Sequence, residues 1–291
     1  MTTAEARGVR TTDWTLDRGY AGPSGEIRWA ALGPEDAPPV VLVHGTPFSS
    51  YVWRGPARAL AAEHRVYVWD LPGYGASEMR PGQDVTLDAQ ARALAGLIDH
   101  WGLTGPAAPA VVAHDFGGCV ALRAHLLHGA AYSRLALVDP VALAPWGSPT
   151  YRLLAEHADV FRRLPDDLHE ALVHRYISSA SHPGLHPDTH ARLVAPWLTE
   201  AGKDAFYRQI EQNVPHVGTD DIQGRYGELA LPVLVCWGAE DTWIPVGRGH
   251  ELAALIPGAE LRIIGGAGHL VQEDAPAELT AALGRFLRTG R

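Results

Sequence analysis

The sequence predicts an α/β protein: a mostly parallel eight-stranded sheet flanked by helices, with a helical insertion late in the chain. Three observations predict it. Short β-rich runs alternate with longer helical patterns. Several of those runs are continuously apolar, as strands covered on both faces must be. The alternation then lapses over 141–230, where helical patches follow one another with no strand between them.

Taken in order, a first strand is expected near Trp14–Leu16 and a second at Glu26–Leu32. Strands follow at Val40–His44, Arg65–Asp70, Ala110–His114, Arg134–Asp139, Val233–Trp237 and Glu260–Ile264. Helices are expected at Val52–His64, Thr86–Trp101, Phe116–His128, Val246–Ile256 and Ala275–Leu287. Asp84 or Thr86 can cap the second of these, and Pro276 suits a first helical turn. Within the insertion, Tyr151–Leu164, Asp167–Ser178, Asp188–Leu198 and Lys203–Asn213 read as helical. The expected organisation is a core from 1–140 and 231–291, and a helical cap from 141–230.

The 24 Lys and Arg residues against 33 Asp and Glu leave a formal charge of −9. A basic footprint for nucleic acid is missing, and an anionic membrane surface would repel the chain. The expected partner is a small molecule. Cys119 and Cys236 lie inside apolar runs and form no disulfide framework, which suits a reducing compartment. The first residues, MTTAEARGVRTTDW, carry no apolar run of a secretory signal, and no stretch approaches a bilayer span. A cytoplasmic location is the expectation.

The most informative segment is VVAHDFGGCVAL. An apolar strand runs into Asp115 and then into a helix opening Phe116-Gly117-Gly118. Such a strand–turn–helix elbow holds a nucleophile in a strained conformation, with small residues (Ala113 and Gly117) two before and two after it. The bland alternative makes Asp115 a helix N-cap.

Five motifs in order resemble the α/β-hydrolase superfamily over nearly the whole chain. VVLVHGTP at Val40–Pro47 is similar to its oxyanion loop, and WDLPGYGAS at Trp69–Ser77 to the loop after the next strand. The elbow follows. VLVCWGAED places Asp241 beyond a strand, and IIGGAGH places His269 beyond the last one. The resemblance implies a triad of nucleophile Asp115, acid Asp241 and base His269. Glu240 and Asp139 are alternative acids. Backbone N–H groups of Thr46 and Phe116 would form the oxyanion hole. His44 and His114 are expected to be structural.

An Asp in the nucleophile position changes the chemistry. Attack on a carboxylic ester would give an anhydride, whereas displacement at saturated carbon gives an alkyl ester that activated water can hydrolyse. The leaving group is then an epoxide oxygen or a halide, and neither a metal nor an organic cofactor is needed. Haloalkane dehalogenases carry a halide-binding Trp after the nucleophile, and an Asn in the oxyanion loop or a Trp in the cap; here Phe116 and Thr46 stand in the first two positions. Fluoroacetate dehalogenases hold a carboxylate with Arg near the nucleophile, where this chain offers only Arg123. Epoxide hydrolases supply two cap Tyr, the later in an aromatic-Tyr-Arg motif matched here by Phe206-Tyr207-Arg208. Tyr207 is therefore an expected proton donor. Aligning Phe161 with a family Phe puts His157 at the other Tyr position, with Tyr151 and Tyr176 as substitutes. Trp146, Trp197 and Trp243 are candidate pocket walls. The expected activity is epoxide hydrolysis to a vicinal diol; the alternatives are a dehalogenase-like hydrolase and a catalytically silent binding protein on the same fold.

Overall fold

The structure, a computed structural model, describes residues 14–214 and 218–288. Among the described residues the strands are β1 (Arg18–Gly22), β2 (Gly25–Leu32), β3 (Pro39–Val43), β4 (Arg65–Trp69), β5 (Ala110–His114), β6 (Arg134–Val138), β7 (Val233–Gly238) and β8 (Glu260–Ile264). They form one sheet in the order β1-β2-β4-β3-β5-β6-β7-β8. The β1–β2 and β2–β4 pairs are antiparallel, and every pair from β4 to β8 is parallel. The family of continuous apolar runs is explained by position: every residue of β5 and β7 is buried, as are the last four of β3 and of β6. Each fully buried Val or Leu there contributes about 1.5–3 kcal/mol relative to exposure.

The first strand lies later than expected. Trp14–Leu16 is not a strand; it packs instead, with Leu16 buried and the Trp14 Nε1–H donating to Ser50 Oγ. β1 itself is RGYAG, a short, mostly exposed edge strand whose two glycines leave no apolar alternation to betray it. It turns into β2 at Gly25, whose φ of 112° is open to glycine and strained for other residues.

Helices α1 (Arg54–Leu60), α2 (Leu87–His100) and α3 (Phe116–His128) cover the first half. Thr86 rather than Asp84 caps α2, its hydroxyl accepting from the Ala89 N–H at 3.2 Å. Between β6 and β7 lie α4 (Pro149–Glu156), α5 (Ala158–Phe161), α6 (Asp166–Ser178), α7 (Pro187–Val194) and α8 (Glu200–Gln212). The expected helix over Tyr151–Leu164 is thus broken at His157, whose φ of −126° is not helical. The chain closes with α9 (Gly247–Leu255), α10 (Val271–Asp274) and α11 (Pro276–Arg288). No helix of the described residues is long and apolar enough to cross a membrane.

The approach of α3 to the sheet decides where the site sits. A Cβ on Gly117 would lie 2.5 Å from the His44 carbonyl oxygen and 2.7 Å from that of Val43. A Cβ on Gly118 would collide with Pro140. Two glycines therefore let the helix start directly against the carboxyl ends of β3 and β6, with Asp115 at the crossing.

Candidate active site

Asp115 is the last residue before α3 and has φ 53° and ψ −122°. A non-glycine residue in this region is strained, and such strain collects at functional sites. Its backbone is pinned on three sides: the Asp115 N–H donates to the Val138 carbonyl at 3.2 Å, and its carbonyl accepts from the N–H groups of Gly118 (2.9 Å) and Val141 (3.0 Å). Its side chain makes no capping bond to the helix, so the N-cap reading fails. The carboxylate points instead toward two partners. Oδ1 accepts from the Thr46 N–H at 2.7 Å, and Oδ2 lies 3.2 Å from His269 Nε2.

His269 completes a chain of three buried groups. Its Nδ1 lies 2.8 Å from Asp241 Oδ2. Asp241 is held in turn by the N–H groups of Trp243 (2.7 Å) and Ile244 (3.0 Å), both donating to Oδ1. Burial opposes charge on His269, but the Asp241 carboxylate and the bonds to Asp115 and Asp241 outweigh it, and its pKa is raised well above the imidazole norm. The two flanking carboxyl groups thus favour the charged form of the imidazole.

The alternative acids are resolved by contact. Asp241, not Glu240 or Asp139, bonds to His269. Asp139 follows β6 with φ 43° and is fully buried. Its Oδ1 accepts from the Gly238 N–H at 2.9 Å, while Oδ2 has no partner among the described residues. Burial, reinforced by the nearby Asp241 charge, pushes its carboxyl well above the usual range, so it stands neutral beside the triad. Asp139, Asp241 and His269 bring three ligand-type atoms within 4.8 Å of one another. Two of them, Asp241 and His269, are already joined by the 2.8 Å hydrogen bond of the triad.

His44 and His114 are both neutral and structural. His44 Nδ1–H donates to the Gly45 carbonyl at 3.0 Å and Nε2 accepts from the Leu71 N–H at 2.9 Å. Burial lowers its pKa. His114 Nε2–H donates to the His269 carbonyl at 2.9 Å, which fixes the backbone that carries the imidazole. Burial, helped by the charge on His269, lowers its pKa to about 3.

A small cavity opens above Asp115, lined by Thr46, Phe116, Trp146, Tyr151, Tyr176 and Trp243 among others. Its volume is about 20 Å³, little more than one water needs. No Lys or Arg lines it. Arg123 is committed elsewhere, to Asp88 (2.9 Å) and Asp221 (2.6 Å), so among the described residues neither Lys nor Arg is offered to a substrate carboxylate.

The expected proton donors do not reach this cavity. Tyr207 is buried on α8, but its hydroxyl pairs with His169 Nδ1 at 2.9 Å, away from Asp115. His157 is exposed at the α4–α5 break, nearest to Glu156. The substitutes do reach it. Tyr151 lines the wall, its hydroxyl donating to the Asn213 carbonyl at 2.6 Å. Tyr176 on α6 stacks on Trp243 (ring centroids 4.6 Å apart), which stacks in turn on His269 (4.9 Å). Among the described residues the Tyr176 hydroxyl makes no hydrogen bond. Burial and the Asp115 charge raise its pKa, so it keeps its proton. Trp146 packs edge-on against Phe116 (5.4 Å), and its buried Nε1–H has no acceptor among the described residues. Trp197 is structural, its Nε1–H donating to the Pro47 carbonyl at 2.7 Å. Phe116 contributes its ring to the cavity; the donor to the Asp115 carboxylate is the Thr46 N–H.

The sequence model of the alpha/beta hydrolase fold matches residues 38–276. The chain belongs to the α/β-hydrolase fold family. An alpha/beta hydrolase fold protein from Burkholderia ambifaria is 46% identical, with 93% of this chain and 97% of that one covered at a TM-score of 0.88. A haloalkane dehalogenase from Bradyrhizobium elkani is 21% identical (93% and 97% covered, TM-score 0.78). An epoxide hydrolase is 20% identical (94% and 99% covered, TM-score 0.79). The last two likenesses show a shared fold and do not separate the two chemistries. The chain spans 66% of the length of the first curated relative it matches, at 28% identity.

Proposed function

We propose that this α/β-fold hydrolase acts through Asp115 as nucleophile and forms a covalent alkyl ester, and that its substrate is a small uncharged epoxide. The observation that carries the reading is the Tyr176 hydroxyl, without a hydrogen bond among the described residues, in an aromatic cavity whose floor is the strained Asp115 carboxylate. The helical segment over 141–230, which supplies Trp146, Tyr151 and Tyr176, is read as the cap over a core of 1–140 and 231–291.

In this scheme Asp115 Oδ2 attacks an epoxide carbon while the carbon–oxygen bond breaks. The departing oxygen takes the Tyr176 proton, which keeps a poor alkoxide leaving group from forming. Ester formation removes the Asp115 charge, one of the influences that hold the proton on His269. The imidazole then passes that proton on to the Tyr176 phenolate, which restores the donor, and accepts a new one from water. The hydroxide so generated attacks the ester carbon. Oδ1 becomes the oxyanion, facing the Thr46 N–H, with the Phe116 N–H at the start of α3 as the second donor. Collapse passes the added hydroxyl's proton to the departing alkoxide and frees the diol, and the proton taken from water leaves His269 charged as at the start. The sum is one epoxide and one water to one diol.

The unpartnered Trp146 N–H favours a second reading, a dehalogenase in which that donor stabilises departing halide. The two share the ester. Single turnover in H₂¹⁸O tests them together: the label should enter the carboxylate of Asp115, found by mass in its peptide, and the first product should be unlabelled. Direct labelling of the first product would exclude the ester.

A further inference from the structure

The helix singled out by its Phe206-Tyr207-Arg208 motif does touch the site, through a different residue. Tyr207 and Gln209 are two positions apart on α8, about 200° around a helix of 3.6 residues per turn. Since Tyr207 faces His169, Gln209 faces the opposite way, into the core. Its Oε1 accepts from Thr46 Oγ1–H at 2.7 Å and from the Tyr74 hydroxyl at 3.0 Å. Its Nε2–H donates to the Phe206 carbonyl at 3.0 Å, which fixes the amide orientation. All three side chains are buried, Gln209 and Tyr74 to 1% exposure and Thr46 to 3%. Thr46 is also the residue whose N–H holds Asp115 Oδ1 at 2.7 Å.

We infer that Gln209 is a positioning residue for the oxyanion donor: through the Thr46 hydroxyl it sets the Thr46 N–H against the Asp115 carboxylate. This rests on the Asp115 ester reading for its catalytic consequence, though not for the contact itself. A buried amide oxygen shared by two hydroxyls is costly to disturb, because each donor left behind would be unsatisfied.

The test compares wild type with Gln209→Met, which keeps length and removes the acceptor, and Gln209→Glu, which restores an acceptor. Backbone hydrogen exchange is read over the peptide spanning 44–49. The expected result is exchange roughly tenfold faster in Gln209→Met, confined to that peptide and its α8 contact, and near wild type in Gln209→Glu. Unchanged exchange in Gln209→Met overturns the inference. Should Gln209→Met not fold, Thr46→Val removes the same bond from the other side and keeps the N–H. Single turnover of 1,2-epoxybutane gives the kinetic reading. Ester hydrolysis should slow by roughly tenfold in Gln209→Met, less than the loss of a whole oxyanion donor, while ester formation changes little. Equal slowing of both steps would mean a merely structural role. If wild type forms no ester, the Asp115 reading fails, and the exchange result still decides the contact.

Discussion

Replacing His114 by Gln should flatten the acid limb of stability. His114 is neutral and buried, with a pKa of about 3 against 6.5 in a free imidazole. The unfolded chain therefore takes up a proton at this position below pH 6.5 that the folded chain refuses. Stability from this group is present above that pH and lost as pH falls. The loss is about 1.4 kcal/mol per pH unit, or ~3 kcal/mol by about pH 4.5. That is a large share of the roughly 5–15 kcal/mol that holds a domain folded. Gln keeps an N–H for the His269 carbonyl and cannot be charged. Urea unfolding of both proteins from about pH 7 to about pH 4.5 gives the comparison. The wild type should begin more stable, and the gap should close by ~3 kcal/mol toward the acid end. Contributions from other groups largely cancel in the difference. A gap that stays constant with pH would show that His114 is not held neutral, and the reasoning about this buried face of the site would fall.

Three further outcomes follow from the geometry. Asp139→Asn should retain most activity and the wild-type pH profile, because a neutral amide replaces a carboxyl already neutral; a loss approaching that of Asp241→Asn would make Asp139 an ionised participant. Gly117→Ala forces a Cβ against the carbonyl oxygens of Val43 and His44, and thermal unfolding should show a loss of about 1–3 kcal/mol, with no loss contradicting the close packing. Tyr176→Phe should slow epoxide opening by roughly 10²–10⁴-fold while Tyr207→Phe changes it little, as measured by single-turnover ester formation; the reverse order would return the acid role to α8.

Much of the fold was legible because its strands are apolar on both faces and its motifs fall at strand ends. Asp115 follows β5 directly, and Asp241 and His269 lie three and five residues past the ends of β7 and β8, so the parallel sheet brings all three to its carboxyl edge. The exposed, glycine-bearing edge strand β1 carried no such signal. The insertion was harder for a physical reason. A helix motif fixes spacing along the chain, and which of its faces meets the core depends on packing that one sequence does not reveal. Tyr207 and Gln209 illustrate this: the same helix presents one outward to His169 and the other inward to Thr46. His157 fell at a helix break, where the exposed position is set by the turn rather than by periodicity. Tyr176 and Tyr151, named from residue type alone, are the ones that line the cavity.

The most direct measurement is the intact mass of the His269→Gln variant after exposure to a panel of small epoxides and haloalkanes. Without its base the ester should form and persist. The account predicts a stable adduct on Asp115 equal to a whole epoxide, since ring opening expels nothing; an adduct of an alkyl group alone would instead assign the site to carbon–halogen cleavage. Normal turnover without an adduct, or an adduct that survives Asp115→Ala, would contradict the claim that this carboxylate is the nucleophile.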